Sequence, residues 1–494
     1  MFRYSVTVIA MLLASCTPEA NGPLSGNAAA KMQAELIAAL RADTRVPVLI
    51  LGRDQFLGTP DAFAQFTQAH TNANRLALRE DVTAQLKTLA QSKLSALLTE
   101  LPAQAQVTRL WIVNGAIAAL TKSEAEQLAD DPSVKYLFLL SSLPRKQGTG
   151  LSAVVTPVRA PFTMEGKRVP WNVERLGAAA VWEQGITGDG IVVGLIDDRV
   201  DITHADITAN VWVNDDEIPN NAIDDDKNGY IDDRHGYNFS DGSADVGNPS
   251  QPHGTYTAGI AVGTGNSGIA TGIAPRARLM PLVGIGFVEV MLALQYALEN
   301  GADVINMSFS LANQGDLRSA WRMAADHAVA AGLVLVSGAG NFRQTQPTPV
   351  QLRIPEDIPS VIAVGGVDED LLITEFSSTG PVEWGSAPFF GDHQLPNGLI
   401  KPDIVAFPGA GFPLLRIGGG YIDPNSLIRG NSFSSPETAG AAALLLSART
   451  QTPAWKIGEI LQAGARDLGT AGKDNLYGSG LVNIPASLNL LHMH

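Results

Sequence analysis

From Val169 onward the chain alternates short, uninterrupted apolar runs with longer Ala-rich segments of helical period. The runs are Ile191 to Ile196, Leu279 to Val283, Val304 to Met307, Leu333 to Ser337 and Val361 to Val364. Segments such as Val288 to Glu299 and Leu317 to Ala331 lie between them. A strand that is apolar on both faces has to be covered on both faces. The pattern therefore predicts an α/β fold, a mainly parallel sheet with helices on each side. In such sheets reactive side chains gather beyond the carboxyl ends of the strands. The chain has 494 residues, 45% hydrophobic and 17% charged, enough for more than one packed domain.

The residues before this region divide into four. Residues 1–16 carry Arg3, an apolar core from Val6 to Leu13, and Leu13-Ala14-Ser15-Cys16. The core is too short to span a bilayer, so it reads as an export signal. Residues 17–45 are small and Ala-rich and read as a tether, with a short helix as an alternative for the second half. Residues 46–140 hold a strand at Val46 to Leu51, a helical pattern from Leu76 to Leu98, and strands at Val107 to Val113 and Ala116 to Leu120 around the turn signal Asn114-Gly115. A helix at Ser123 to Asp130 and a strand at Val134 to Leu140 complete them. That order is β-α-β-β-α-β, a small α+β domain. Residues 141–167 lose periodicity, carry Arg145 and Lys146, and read as an exposed linker open to cleavage.

Four strand or helix ends carry chemistry. Asp197 follows the first strand of the large domain, and a buried carboxylate there needs a partner. His253 opens the small-residue segment His253-Gly254-Thr255-Tyr256-Thr257-Ala258-Gly259. Asn341 closes Ser337-Gly338-Ala339-Gly340-Asn341. Ser432 stands in Gly430-Asn431-Ser432-Phe433-Ser434-Ser435-Pro436, before an Ala/Leu-rich helix whose first turn Pro436 suits. Each alone also reads as a helix cap or turn residue. Together they supply a nucleophile, its base, the acid that orients the base, and an amide for an oxyanion.

The ordered matches resemble the subtilisin-like serine peptidases. They include Ile196-Asp197 with Asp201, His204 and Asp206, then His253-Gly254-Thr255, Gly272-Ile273-Ala274-Pro275, Gly340-Asn341, Lys401-Pro402-Asp403, Gly430 with Ser432 and Pro436, and Tyr477 to Asn483. The resemblance covers residues 168–494. It implies a serine endopeptidase acting on polypeptides, with Asp197, His253 and Ser432 as triad and Asn341 as oxyanion donor. It also implies that Ser308, Phe309, Ser310 and Gly340 bind substrate. Ser310 replaces a frequent glycine, which predicts a narrowed pocket preferring small or medium apolar residues. Arg199 takes a glycine place, where a positive φ would strain it. A catalytically weak or inactive binding lipoprotein on the same fold is the alternative. An esterase of another hydrolase fold lacks its Gly-x-Ser-x-Gly elbow.

Residues 46–140 resemble the inhibitory prosegment of these enzymes, which implies an autoprocessed zymogen. Leu-Ala-Ser-Cys resembles a bacterial lipobox, which implies lipidation of Cys16, export from a bacterial cytoplasm, and anchorage in the cell envelope until processing. Asp224, Asp226 and Asn228, with the Tyr230 carbonyl and Asp232, match part of a calcium loop; His235 stands where its closing Glu belongs. Net charge is −15, which argues against a nucleic-acid partner.

Overall fold

The structure, a computed structural model, describes residues 26–41, 44–91, 93–145, 153–159 and 161–493. The lipobox and Cys16 lie outside them, as does Lys146. No helix among the described residues is long and apolar enough to cross a membrane.

The large domain is built on seven parallel strands. In chain order they are β5 (Val192–Asp197), β6 (Tyr237–Asn238), β7 (Arg278–Val283), β8 (Val304–Met307), β9 (Val334–Gly338), β10 (Ile362–Gly366) and β11 (Ile404–Ala406), after β1 to β4 of the small domain. Their spatial order is β11-β10-β9-β8-β5-β7-β6. Each apolar run read from the sequence is one of these strands: Val304–Met307 coincides with β8, and the other four differ by one or two residues at their ends. The two strands without a sequence signal, β6 and β11, have two and three residues, too few to show a period. Helices Phe287–Glu299 and Arg318–Ala330 pack together, as do His253–Val262 and Asn431–Ala448. The last is buried over most of its length. Its Ala and Gly residues let it lie close to the sheet, with Ala439, Ala441, Ala442 and Ala443 fully buried.

The small domain has β1 (Val46–Gly52), β2 (Thr108–Leu110), β3 (Gly115–Leu120) and β4 (Val134–Leu139) in one antiparallel sheet of order β2-β3-β1-β4. The β-α-β-β-α-β order holds, with three local differences. The run Val107 to Val113 is not one strand: pairing stops at Leu110, and Trp111–Val113 form a 3₁₀ turn ending at Asn114 with φ 39°. The turn is fixed by the large domain, where the Ile112 N–H donates to Gln295 and its carbonyl bonds His327. The pattern Leu76 to Leu98 forms two helices, Arg75–Ala90 and Lys93–Thr99. The tether is partly structured: Gly26–Ala30 and Ala34–Ala39 are helical, and Ala28, Met32, Leu36 and Leu40 bury against this domain.

The two domains share a polar and apolar contact. Arg75 is 1% exposed; it pairs with Asp303 at 2.7 Å and donates to the carbonyls of Thr450 and Gly332. Arg79 reaches the same carboxylate at 3.2 Å, and Lys87 pairs with Glu299 at 2.6 Å. His327 is buried between the Ile112 carbonyl (2.5 Å) and the Leu57 N–H (2.9 Å). The described parts of the linker, residues 141–145, 153–159 and 161–167, are less exposed than their composition predicts. Arg145 is exposed, but the Val155 N–H donates to His235, Phe162 packs on Trp182, and Lys167 donates to the Thr264 carbonyl.

Candidate active site

Asp197 ends β5 and is buried. One of its oxygens, Oδ1, bonds His253 Nδ1 at 2.6 Å and accepts the Asp198 N–H at 2.7 Å. The other takes the Thr257 hydroxyl at 3.2 Å. His253 is the first residue of its helix. Gly254 lets that helix close on the strand end, because a Cβ there would run into the Asp198 carbonyl. Burial depresses the His253 pKa, but the charge of Asp197 and the bond to it outweigh burial and hold the imidazole above its ordinary value. An Asp197 carboxylate accepting the Nδ1 proton leaves Nε2 as the basic nitrogen.

Ser432 is the second residue of helix Asn431–Ala448. The helix therefore starts earlier than Pro436 alone suggests, and Pro436 lies in its second turn. Pro436 has no N–H to give the carbonyl four residues back, which belongs to Ser432. The Ser308 hydroxyl donates to that carbonyl at 2.9 Å, and the Ser432 hydroxyl donates to the Ser308 carbonyl at 3.2 Å. The pair ties Ser432 to the end of β8. Phe433 is buried between His253 and Tyr256, with ring centroids 6.0 and 6.1 Å away.

Asn341 accepts the Asn431 N–H on Oδ1 at 2.8 Å, which turns its Nδ2 donor the other way. Nδ2 lies 3.1 Å from where a Cβ on Gly430 would stand. With Asn341 and Ser432, the predicted binding residues Ser308, Phe309, Ser310 and Gly340 line one pocket of about 210 Å³, closed by Gly338 and Phe342. The Ser310 hydroxyl donates to Glu356 at 2.6 Å. Glu356 has no sequence signal, because it lies 46 residues away in an ordinary-looking Ile-Pro-Glu-Asp stretch. Arg199 escapes the strain feared at a glycine place: its φ is not positive, and it pairs with Asp241 at 2.6 Å.

The acidic loop gathers differently from the sequence pattern. Oxygens of Glu217, Asp226 and Asp233 lie within 4.8 Å of one another. Of the residues read from the sequence, Asp226 is in this group. Asp224 instead accepts the N–H groups of Asn228 and Gly229, and Asp232 accepts those of Asn221 and Ala222. Asn228 bridges Asp226 and Asp233 through its amide, and the Tyr230 ring packs on Tyr237 and Tyr296. Glu217 is buried and its Oε2 has no partner. Burial raises its pKa and pushes that of Asp233 up to about 6. Two buried carboxylates and a half-buried one, Asp226, with an orphaned oxygen on Glu217 fit a hard divalent cation. Glu217 and Asp233 were missed because no fixed spacing links them to Asp226.

A parallel sheet with an acid–histidine pair at one strand end and a serine at a nearby helix start defines a hydrolase of the serine-peptidase class. Residues 188–480 match the Subtilase family. The chain belongs to that family and is a serine-type endopeptidase. It is 26% identical over 382 residues to subtilisin E of Bacillus subtilis (strain 168), covering 76% of this chain and 81% of that one. It is 28% identical over 329 residues to subtilisin of Bacillus pumilus, covering 65% and 98%. An alkaline protease of Alkalihalobacillus alcalophilus is 27% identical over 334 residues, covering 66% and 72%.

Proposed function

We propose that the chain hydrolyses peptide bonds through Asp197, His253 and Ser432, as an autoprocessed zymogen. The observation that carries the reading is the 2.6 Å bond between His253 and Asp197, together with Ser432 and the Asn341 amide on one pocket. His253 Nε2 takes the Ser432 proton once the hydroxyl rotates off the Ser308 carbonyl. The oxygen then attacks the substrate carbonyl, and an acyl-enzyme forms and is hydrolysed. Asn341 Nδ2, with N–H groups of the first helical turn, faces the oxyanion.

The small domain is proposed as the inhibitory prosegment. The alignment with subtilisin E is longer than residues 188–494, so it extends into residues before 188. Cys16 is proposed as a lipid site that anchors the unprocessed chain in a bacterial envelope after export. Calcium is proposed at Glu217, Asp226 and Asp233, where it would brace the loop with no part in the chemistry. A fluorophosphonate probe tests the central reading. It should label Ser432 in folded wild-type protein and leave Ser432→Ala blank; absence of label on processed, folded wild type would mean that the chain is a binding protein on this fold.

A further inference from the structure

Glu356 is fully buried, yet it stands directly behind the substrate pocket. Its Oε1 accepts the Ser310 hydroxyl at 2.6 Å and the Arg353 N–H at 3.0 Å. A Cβ on Gly340, one of the pocket walls, would lie 3.1 Å from that same oxygen. So Gly340 is what opens the pocket toward the carboxyl, and Ser310 bridges the two. The second oxygen, Oε2, is buried and bonded to nothing. Among the described residues no lysine or arginine side chain pairs with it. The charged groups nearby are otherwise engaged: Asp357 pairs with Arg318 at 2.9 Å, and the Arg353 guanidinium lies 3.5 Å from the centre of the Phe342 ring.

A buried carboxyl with a free oxygen is costly to keep unless something uses it. Burial, assisted by Asp357, pushes the Glu356 pKa up to about 8 despite the bonds it accepts. Burial therefore disfavours the ionised form while the pocket is empty of ligand. A cation entering the pocket beside Ser310 and Gly340 would favour the ionised form. The flanking ring of Phe309 suits the methylene stem of a long basic side chain, while Phe342 already carries the Arg353 guanidinium on one face.

We propose that Glu356 sets the primary specificity of this peptidase, selecting a lysine or arginine just before the scissile bond. This rests on the active site proposed above, and it displaces the small-apolar preference that Ser310 by itself predicts. Ser310 does not merely fill space, because its hydroxyl holds the carboxyl in place. Deprotonation of Glu356 makes the preference stronger as pH rises through about 8.

Two measurements on the full chain test it. The first compares hydrolysis of peptides differing only in Lys, Arg, Leu or Phe at that position, at pH 6.5 and pH 9. The Lys/Leu ratio of kcat/KM should exceed about tenfold at pH 9, fall at pH 6.5, and collapse in Glu356→Gln. A ratio that Glu356→Gln leaves intact overturns the proposal, as does a wild-type profile favouring Leu or Phe at both pH values. The second measures calorimetric binding of n-butylamine and benzamidine to Ser432→Ala, with and without Glu356→Gln, and needs no catalysis. Binding that Glu356→Gln weakens at least about tenfold supports the proposal even if no peptide is cleaved, a result that would sink only the endopeptidase mechanism. No inhibition of peptide hydrolysis by either amine in processed wild type overturns the specificity and spares the mechanism. Should Glu356→Gln fail to fold, the wild-type ratio and its pH dependence decide the question.

Discussion

Ser432 is held by a reciprocal pair with Ser308, so its reactivity depends on leaving that carbonyl for His253. Ser432→Ala and His253→Ala should each lower kcat by at least about a thousandfold, and the double variant little further, because the two act as one unit. A double variant that loses the product of both effects would count against a shared proton path. Asn341→Ala should cost about a hundred- to a thousandfold in kcat with KM nearly unchanged. His253 must be neutral to act as base, and its pKa is raised by Asp197 against the effect of burial. Activity should therefore fall with acid through a pH above the ordinary histidine value of about 6.5. Asp197→Asn should move that limb downward as well as reduce the rate; a limb that stays put would detach Asp197 from the titration.

At the scale of elements, the docking of the small domain on helix Arg318–Ala330 should depend on pH through the buried His327. Burial lowers the His327 pKa to about 4, against its bond to Ile112, and its other nitrogen accepts the Leu57 N–H. Once exposed, the imidazole should titrate near its ordinary value, so the undocked state binds the proton more readily. Docking is then strongest above pH 6.5, weakens down to about 4, and is level below. The full loss is about 3 kcal/mol, or two orders of magnitude in Kd. Size exclusion of the processed protein from pH 7 to 4 reads it, and His327→Gln should flatten the dependence; release independent of pH would remove His327 from the docking. In the acidic loop, chelation should lower Tm by mass action, and Glu217→Gln should erase most of that difference. Equal melting curves for wild type with and without chelator would leave the cluster as a carboxyl network alone.

For the whole molecule the order of parts matters. Cys16 precedes the small domain, and the active-site residues follow residues 141–167. Cleavage in that stretch would leave the lipid on the prosegment, with the peptidase held by Arg75, Arg79, Lys87 and the contacts of His327. Ser432→Ala protein should fractionate with membranes as one chain. Wild-type peptidase should be freed by acid or by loss of the prosegment, which N-terminal sequencing of the fractions checks. Active wild type that remains a single chain beginning at Cys16 would end the zymogen reading. Arg75→Ala should hasten release, since it removes a buried cation from Asp303, whose other oxygen accepts the Val192 N–H at the start of β5.

The parallel sheet was legible because its strands are continuous apolar runs and its helices are longer periodic segments, and both patterns are local. The short motifs around Asp197, His253, Asn341 and Ser432, the residues proposed for catalysis, were visible for the same reason, since each lies at or just past an element end. What the chain's order does not encode is which distant side chains meet. Glu356 reaches Ser310 across 46 residues, and His327 closes on Leu57 across 270. Trp111–Val113 leave strand geometry for a 3₁₀ turn at the contact with the large domain. The convergence of Glu217 and Asp233 on Asp226 likewise depends on how one loop folds back through Asn214 and Asn228. Local periodicity decides which face of an element is apolar, and so the layers of the fold. The burial of an individual carboxyl or imidazole, and with it its charge state and its partner, arises only when separate elements pack.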